Sequence, residues 1–228
     1  MIELTIVIPA KNEVESLPKV LDSLKDFNCN ITISISENDI DTINSIKNFN
    51  VNIYQQRKNG YGNALYEAIE NCNTDYFCIF NADGSFEKDD LIKMYNQITN
   101  NDFVFASRYL DGAGSDDDTI VTYFGNKIFS ILCKILFSLN INDILYTFIL
   151  GKTKSFKKLK IISNDFRFCV ELPIKMQIAS MKYSSIPSYE KNRIAGKKKV
   201  NAFKDGLLIL SEMLKLFFRY KLLRQKII

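Results

Sequence analysis

Apolar and polar positions alternate between two periods along the first half of this chain. Ile2 to Ile8 is a short apolar run that stops at Pro9 and predicts a first strand. Leu17, Val20, Leu21 and Leu24 then repeat at helical spacing behind Ser16-Leu17-Pro18, where Ser16 suits a cap and Pro18 the first turn. Ile31, Ile33 and Ile35 alternate as a second strand. Thr42 to Phe49 predicts a short helix and Val51 to Tyr54 a short strand. The turn Asn59-Gly60-Tyr61-Gly62 leads into a helix from Asn63 to Asn71. Tyr76–Phe80, Leu91–Ile98 and Phe103–Ala106 continue as strand, helix and strand. Strands alternating with helices predict an α/β fold, a mostly parallel sheet flanked by helices.

The second half changes character. Asp111 to Thr119 is a loop rich in Gly and Asp. Phe124, Ile128, Ile131, Ile135 and Leu139 then repeat at helical spacing, and Phe129, Cys133 and Phe137 widen the apolar face. Leu145–Leu150 and Phe166–Leu172 read as strands, with a helix over Pro173–Ser180. Ser188 to Lys199 is polar and basic. Phe203, Leu207, Leu210, Leu214 and Phe217 mark a last amphipathic helix, followed by a basic tail.

The chain has 228 residues, enough for one domain with its own core. A formal charge of +4 is too mild to imply nucleic acid. Histidine is absent, which excludes Ser-His-Asp and Cys-His catalysis and His-based metal sites within the chain. The five cysteines form no CxxC pair and read as reduced packing residues of a cytoplasmic protein. Met1 leads straight into the first strand, with no signal-peptide pattern. The longest apolar run, Ile128 to Leu139, is too short to span a bilayer and holds Lys134.

Chemistry concentrates where strands end. Ligands of open α/β sheets bind at the carboxyl ends of the strands. Ile8-Pro9-Ala10-Lys11-Asn12-Glu13 ends strand one in a polar loop, and Glu13 can accept from a base or ribose. Ser36-Glu37-Asn38-Asp39 ends strand two with further acceptors. Asn59-Gly60-Tyr61-Gly62-Asn63 is Gly-rich but is neither a Walker loop nor GxGxxG. Phe80-Asn81-Ala82-Asp83-Gly84-Ser85 puts two oxygen-bearing side chains on alternate residues after a buried strand. One carboxylate there, with diphosphate oxygens and water, would satisfy Mg²⁺. Each motif also has an ordinary reading as a capped or Asx-type turn.

Taken in order, these turns resemble glycosyltransferase family 2, which has the GT-A nucleotide-sugar fold, and within it the dolichyl-phosphate mannose synthase-like branch. The resemblance also rests on Ser107-Arg108-Tyr109, Gly125-Asn126, the loop Arg193 to Lys199, and Asp205-Gly206, and it runs from Ile2 to about Leu216. It implies a GT-A Rossmann-like sheet with C-terminal amphipathic helices. Residues 1–110 would bind the nucleotide sugar, 111–200 would serve the acceptor, and 201–228 would form the last helix and tail. It implies a nucleotide-sugar pocket of Pro9, Ala10, Asn12, Glu13, Glu37, Asn38, Asn63, Asn81, Ala82, Asp83, Arg193 and Lys199. It further implies a divalent metal, Mg or Mn, at Asp83 and Ser85, with Asp83 and Arg108 in the catalytic machinery. The reaction would transfer a sugar, with inversion, to a polyprenyl-phosphate or glycan acceptor. Phe217-Phe218-Arg219-Tyr220-Lys221 sets aromatics beside cations, which suits peripheral contact at the cytosolic face of a membrane if the acceptor is a lipid.

Four departures stand out. Asn81 replaces the first acid of the family's Asp-x-Asp, and Ser85 stands where the synthases often carry Gln. Asp116-Asp117-Asp118 occupies a loop that is usually basic in the synthases. Tyr146-Thr147-Phe148-Ile149 replaces their Ser-Gly-Phe-Arg. Two alternatives share these features: a sugar nucleotidyltransferase, which ordinarily opens with a Gly-rich basic loop that Pro9 to Glu13 lacks, and a non-catalytic sugar- or membrane-binding module.

Overall fold

A computed structural model describes residues 3–196 and 201–227. The elements run β1 (Leu4–Ala10), α1 (Leu17–Leu24), β2 (Asn30–Ile35), α2 (Ile40–Ser45), β3 (Asn52–Gln55), α3 (Tyr61–Glu70), β4 (Tyr76–Ile79), α4 (Asp90–Ile98) and β5 (Phe103–Ser107). They continue as β6 (Gly114–Ser115), α5 (Ile120–Phe137), β7 (Ile149–Lys152), α6 (Thr153–Lys158), α7 (Phe168–Ile178), β8 (Tyr183–Pro187), β9 (Tyr189–Glu190) and α8 (Ala202–Leu216). A π-helical stretch, Phe217–Leu222, prolongs α8.

Seven strands form one sheet in the order β3-β2-β1-β4-β7-β5-β8. All neighbours pair in parallel except β7, which is antiparallel to both β4 and β5. The mostly parallel α/β architecture is therefore as expected. β6 and β9 pair separately as a short parallel ribbon.

The inner strands read as near-continuous apolar runs because both of their faces are covered. Val7, Phe77, Ile79, Phe103 and Phe105 point to one face, under α3, α5, α6, α7 and α8. Ile6, Ile8, Cys78, Phe80, Val104 and Ala106 point to the other, under α1 and α4. The period-2 alternation of side chains thus feeds two cores from one sheet.

Two expectations fail in the second half. Phe166–Leu172 is not a strand: α7 begins at Phe168 and runs through Pro173. Its residues from Phe168 to Met176 are all buried, so no polar face betrays the helical period. The strand expected at Leu145–Leu150 forms only from Ile149 and extends to Lys152. β8 and α6 have no counterpart in the sequence reading. Tyr183-Ser184-Ser185-Ile186-Pro187 lacks an apolar run because β8 is an edge strand with mostly half-exposed side chains.

Candidate active site

β1 and β4 lie side by side at the point where the sheet reverses its order of growth, the usual crevice for ligands in open α/β sheets. Pro9 and Ala10 close β1 against Ser34 and Ile35 of β2. After β4 the chain passes Phe80, half-buried Asn81 and buried Ala82, and turns at Gly84, whose φ is +79°. A Cβ there would also lie 2.4 Å from Ile194 Cδ1.

Asp83 is held from behind. Its Oδ1 accepts from the Ser85 backbone N–H at 3.0 Å and from the Ser85 hydroxyl at 2.8 Å. Ser85 is buried, and its hydroxyl orients Asp83 from the protein side. The other oxygen, Oδ2, lies 3.7 Å from the Arg193 guanidinium. Arg193 also donates to Asp117 at 2.9 Å, so it bridges two carboxylates from distant parts of the chain. Burial works against the charge on Arg193, but Asp117 first and Asp83 next hold its pKa above the ordinary value.

A strap of backbone carries Arg193 there. The Lys191 N–H donates to the Ser85 carbonyl and the Ile194 N–H to the Asp83 carbonyl, each at 2.8 Å. Lys191 also pairs with Glu87 at 2.6 Å, which draws the Glu87 carboxyl below its usual range. The strap then reaches β1's loop: a Cβ on Gly196 would lie 3.7 Å from Glu13 Oε2. Lys199, expected in this loop, lies outside the described residues.

The β1 loop is fixed by β2's. Asn12 has φ of 53°, and its N–H donates to Asp39 Oδ2 at 2.6 Å. The Glu13 N–H donates to Thr42 Oγ1, and its buried carboxylate accepts from Ser16 Oγ at 2.6 Å. Glu37 and Asn38 stand exposed at the end of β2. Asn63 sits in the first turn of α3, its N–H bonded to the Asn164 carbonyl and its side-chain amide to Asn59. Gly62 lets that loop approach, since a Cβ would fall 2.3 Å from the Ser163 carbonyl oxygen. Tyr61 stacks on Phe166 and shares a hydrogen bond with Thr147 at 2.6 Å.

Arg108 differs most from its expected surroundings. Expected in the catalytic machinery, it is buried: its Nε and one terminal nitrogen bond Asp143 at 2.7 and 2.8 Å, and the other bonds Glu190 at 2.9 Å. Burial opposes its charge, and these carboxylates, Asp143 foremost, overcome that and raise its pKa. Its fork is committed to tying the end of β5 to β9. The acidic loop divides by partner. Asp116 accepts from the Tyr189 hydroxyl, and Asp118 from Tyr109 and Thr122. Asp117 is the member bridged to Asp83 through Arg193.

The structure thus brings Glu13, Asp83, Arg193 and Asp117 to one crevice, with Arg108 behind it through Glu190. Tyr61 is the addition, and Asp39 and Asp117 are singled out from the acidic runs already noted. Asp39 and Asp117 stand inside polar turns visible in the sequence, but nothing in the residue order says which acid of each run turns inward. The thiols offer no nucleophile: burial pushes Cys29 and Cys72 up to about 11 and Cys133 and Cys169 up to about 12. Among the described residues no three His, Cys, Asp or Glu side chains cluster closely enough to hold a metal by themselves. Asp83, with one oxygen anchored and one facing the crevice, fits a cation whose other ligands are diphosphate oxygens and water.

The sequence profile described as glycosyl transferase family 2 matches residues 5–160, more than half of the chain. No curated protein matches it in sequence. Among solved structures, glucosyl-3-phosphoglycerate synthase from Mycobacterium tuberculosis, in complex with Mn²⁺, UDP and glucosyl-3-phosphoglycerate, superposes with a TM-score of 0.70 at 12% identity, covering 93% of this chain and 79% of that one. Mannosyl-3-phosphoglycerate synthase from Rubrobacter xylanophilus gives 0.68 at 14% identity, covering 95% and 72%. A complex of the Mycobacterium tuberculosis enzyme with Mg²⁺ and UDP gives 0.66 at 14% identity, covering 93% and 78%. Likeness at such identity shows the fold.

Proposed function

From the premise that this chain belongs to glycosyl transferase family 2, we propose that it moves a hexose from a nucleotide-diphosphate sugar to a polyprenyl-phosphate or glycan acceptor. The observation that carries this reading is the meeting of Asp83, Arg193, Asp117 and Glu13 at the carboxyl ends of β1 and β4. Pro9, Ala10, Asn12, Glu13, Glu37 and Asn38 would receive the nucleoside, with Asn63 beside them. Asn81, Ala82 and Asp83 would face the diphosphate. Asp83 would hold a divalent cation, a role supported by the Mn²⁺ and Mg²⁺ complexes of the Mycobacterium tuberculosis glucosyl-3-phosphoglycerate synthase. Such a cation offsets negative charge on the leaving diphosphate.

Arg193 is suited to the same diphosphate, because a planar fork can donate to two oxygens at once. Lys199 of the same loop would add a point charge. Arg108 acts one step back: by fixing Glu190 and Asp143 it positions the strand from which the strap departs. Displacement at the anomeric carbon from the face opposite the diphosphate would invert that centre.

The acceptor decides whether a base is needed. A phosphate monoester is already mostly anionic at neutral pH, with a second pKa of about 6. Its use would match the mannose synthase-like motifs and place the reaction at the cytosolic face of a membrane. A glycan hydroxyl needs a base. Asp117 is favoured for that role because Arg193 holds it beside Asp83, and it could take a proton only once the diphosphate drew Arg193 away.

Calorimetric titration of UDP and GDP, with and without Mn²⁺, tests the donor side. We expect one nucleotide to bind, Mn²⁺ to tighten it, and Asp83→Ala to erase the Mn²⁺ effect. Binding of neither nucleotide under any of these conditions would end the transferase reading. Metal-enhanced binding that survives Asp83→Ala would move the cation elsewhere.

A further inference from the structure

α5 and α8 lie against each other: Gly206 faces the Phe129 ring, and Phe137 meets Phe217 edge-on at 6.1 Å. Each buries one side. Asn126, Ser130, Cys133 and Phe137 of α5 face the protein, as do Ile209, Met213 and Leu216 of α8. The outer sides are apolar as well. Ile120, Phe124, Ile128, Ile131 and Ile135 follow one line along α5, and each is more than half exposed. Phe203, Leu207 and Phe218 repeat this along α8 and its π-helical end, and Leu222 and Leu223 extend it. An open apolar groove of about 580 Å³ runs between Leu207, Leu214, Phe218 and Leu223, away from the crevice. Single exposed apolar residues are ordinary, but contiguous stripes of this kind mark contact surfaces.

The charges beside the stripes are mostly positive, with Asp205 in the first turn of α8 the exception. α5 carries Lys127 and Lys134 and no acid. After buried Glu212, the described residues include Lys215, Arg219, Lys221, Arg224 and Lys226 and no acid. All five of those cations are exposed. A second copy of the same face would set these cations against one another. A spanning orientation would strip α5 of the protein contacts on its Asn126–Phe137 side, although by length and composition alone it could cross a bilayer. Apolar stripes rimmed by Lys and Arg instead match a helix lying in the plane of an anionic interface.

We propose that the outer faces of α5 and α8 dock this protein on an anionic lipid bilayer, with both helices flat on the surface. The docked face begins beside the crevice. Thr119 caps α5 immediately after Asp118, and Asp117 is bridged to Asp83 through Arg193. A headgroup in the same bilayer would therefore stand close to the diphosphate position. This deepens the lipid-acceptor reading, but its test does not depend on that reading.

The full chain is centrifuged with vesicles of phosphatidylcholine alone and of equal parts phosphatidylcholine and phosphatidylglycerol. The protein is expected to pellet with the mixed vesicles, much less with phosphatidylcholine, and less as salt rises. Lys215→Ala and Arg219→Ala should each weaken partitioning roughly fivefold. Ile128→Asp should weaken it at least about tenfold, with nucleotide binding and thermal midpoint unchanged. Protein that stays in the supernatant with both vesicle types overturns the proposal. So does a dimer in equilibrium sedimentation that Ile128→Asp dissociates, because a second copy then covers the face. Loss of docking with nucleotide binding intact leaves the donor reading standing, and the reverse leaves the docking surface standing.

Discussion

On the proposed reading, Asn81 would set the charge at the diphosphate. It stands two residues before Asp83 and supplies an amide oxygen where an acid would add a full negative charge. Asn81→Asp should tighten Mn²⁺ in the presence of nucleotide by roughly tenfold, because hard cations favour carboxylate oxygen; equal affinity in both proteins would show that this side chain does not face the cation. Arg193→Ala should weaken nucleotide binding about tenfold to a hundredfold, the worth of a charge-assisted hydrogen bond. Arg193→Lys should restore only part of it, since the ammonium cannot fork. Asp143→Asn should cost about 3 kcal/mol in urea unfolding, because it leaves the buried Arg108 guanidinium short of its main partner. At this scale the sequence was informative about acids and cations at strand ends, namely Glu13, Asp83 and Arg193. It could not say that Ser85 turns inward or that Arg108 is spent on Asp143 and Glu190. Both depend on partners 35 or more residues away, or on which side of a tight turn a hydroxyl takes.

Elements with a visible period were readable, and those without one were not. α1 and α4 show apolar positions on one side only, and their limits fall close to the expected ones. α7 is buried all round, so its apolar run is equally compatible with a strand. Its neighbour α8 carries Glu212 into the same interior. Burial first, then the nearby Glu171, push the Glu212 carboxyl above its ordinary value of 4.5. Below that value both folded and unfolded chains hold the proton and nothing is lost. As pH rises past it, the unfolded chain ionises first and stability falls, until the folded carboxyl ionises too. Glu212→Gln removes this loss, so its thermal midpoint should exceed the parent's at neutral pH and match it near pH 4. A constant difference at both pH values would place the effect in packing. Gly62→Ala at the head of α3 should lower stability by about 2 kcal/mol, since the added methyl meets a backbone carbonyl that has no room to retreat.

Across the whole molecule, two cores share a single sheet as their common wall. Neither the α1–α4 side nor the side under α3, α5, α6, α7 and α8 can open without exposing the strands that support the other. We therefore propose one folding unit over the chain, and expect coincident urea transitions by tyrosine fluorescence and far-ultraviolet circular dichroism. Separated midpoints would divide it into two. The strand–helix alternation of the first half announces such a sheet, but the order of its strands is hidden, because β7 reaches its place only after α5. That insertion has a consequence for biosynthesis. Both partners of β5, and the far neighbour of β4, are translated after residue 110. A nascent chain that has emerged only that far would hold β5 with no strand to bind, however complete its nucleotide residues. Its aromatic side chains would stay wet until β7 emerged, which gives chaperones a defined interval in which to act.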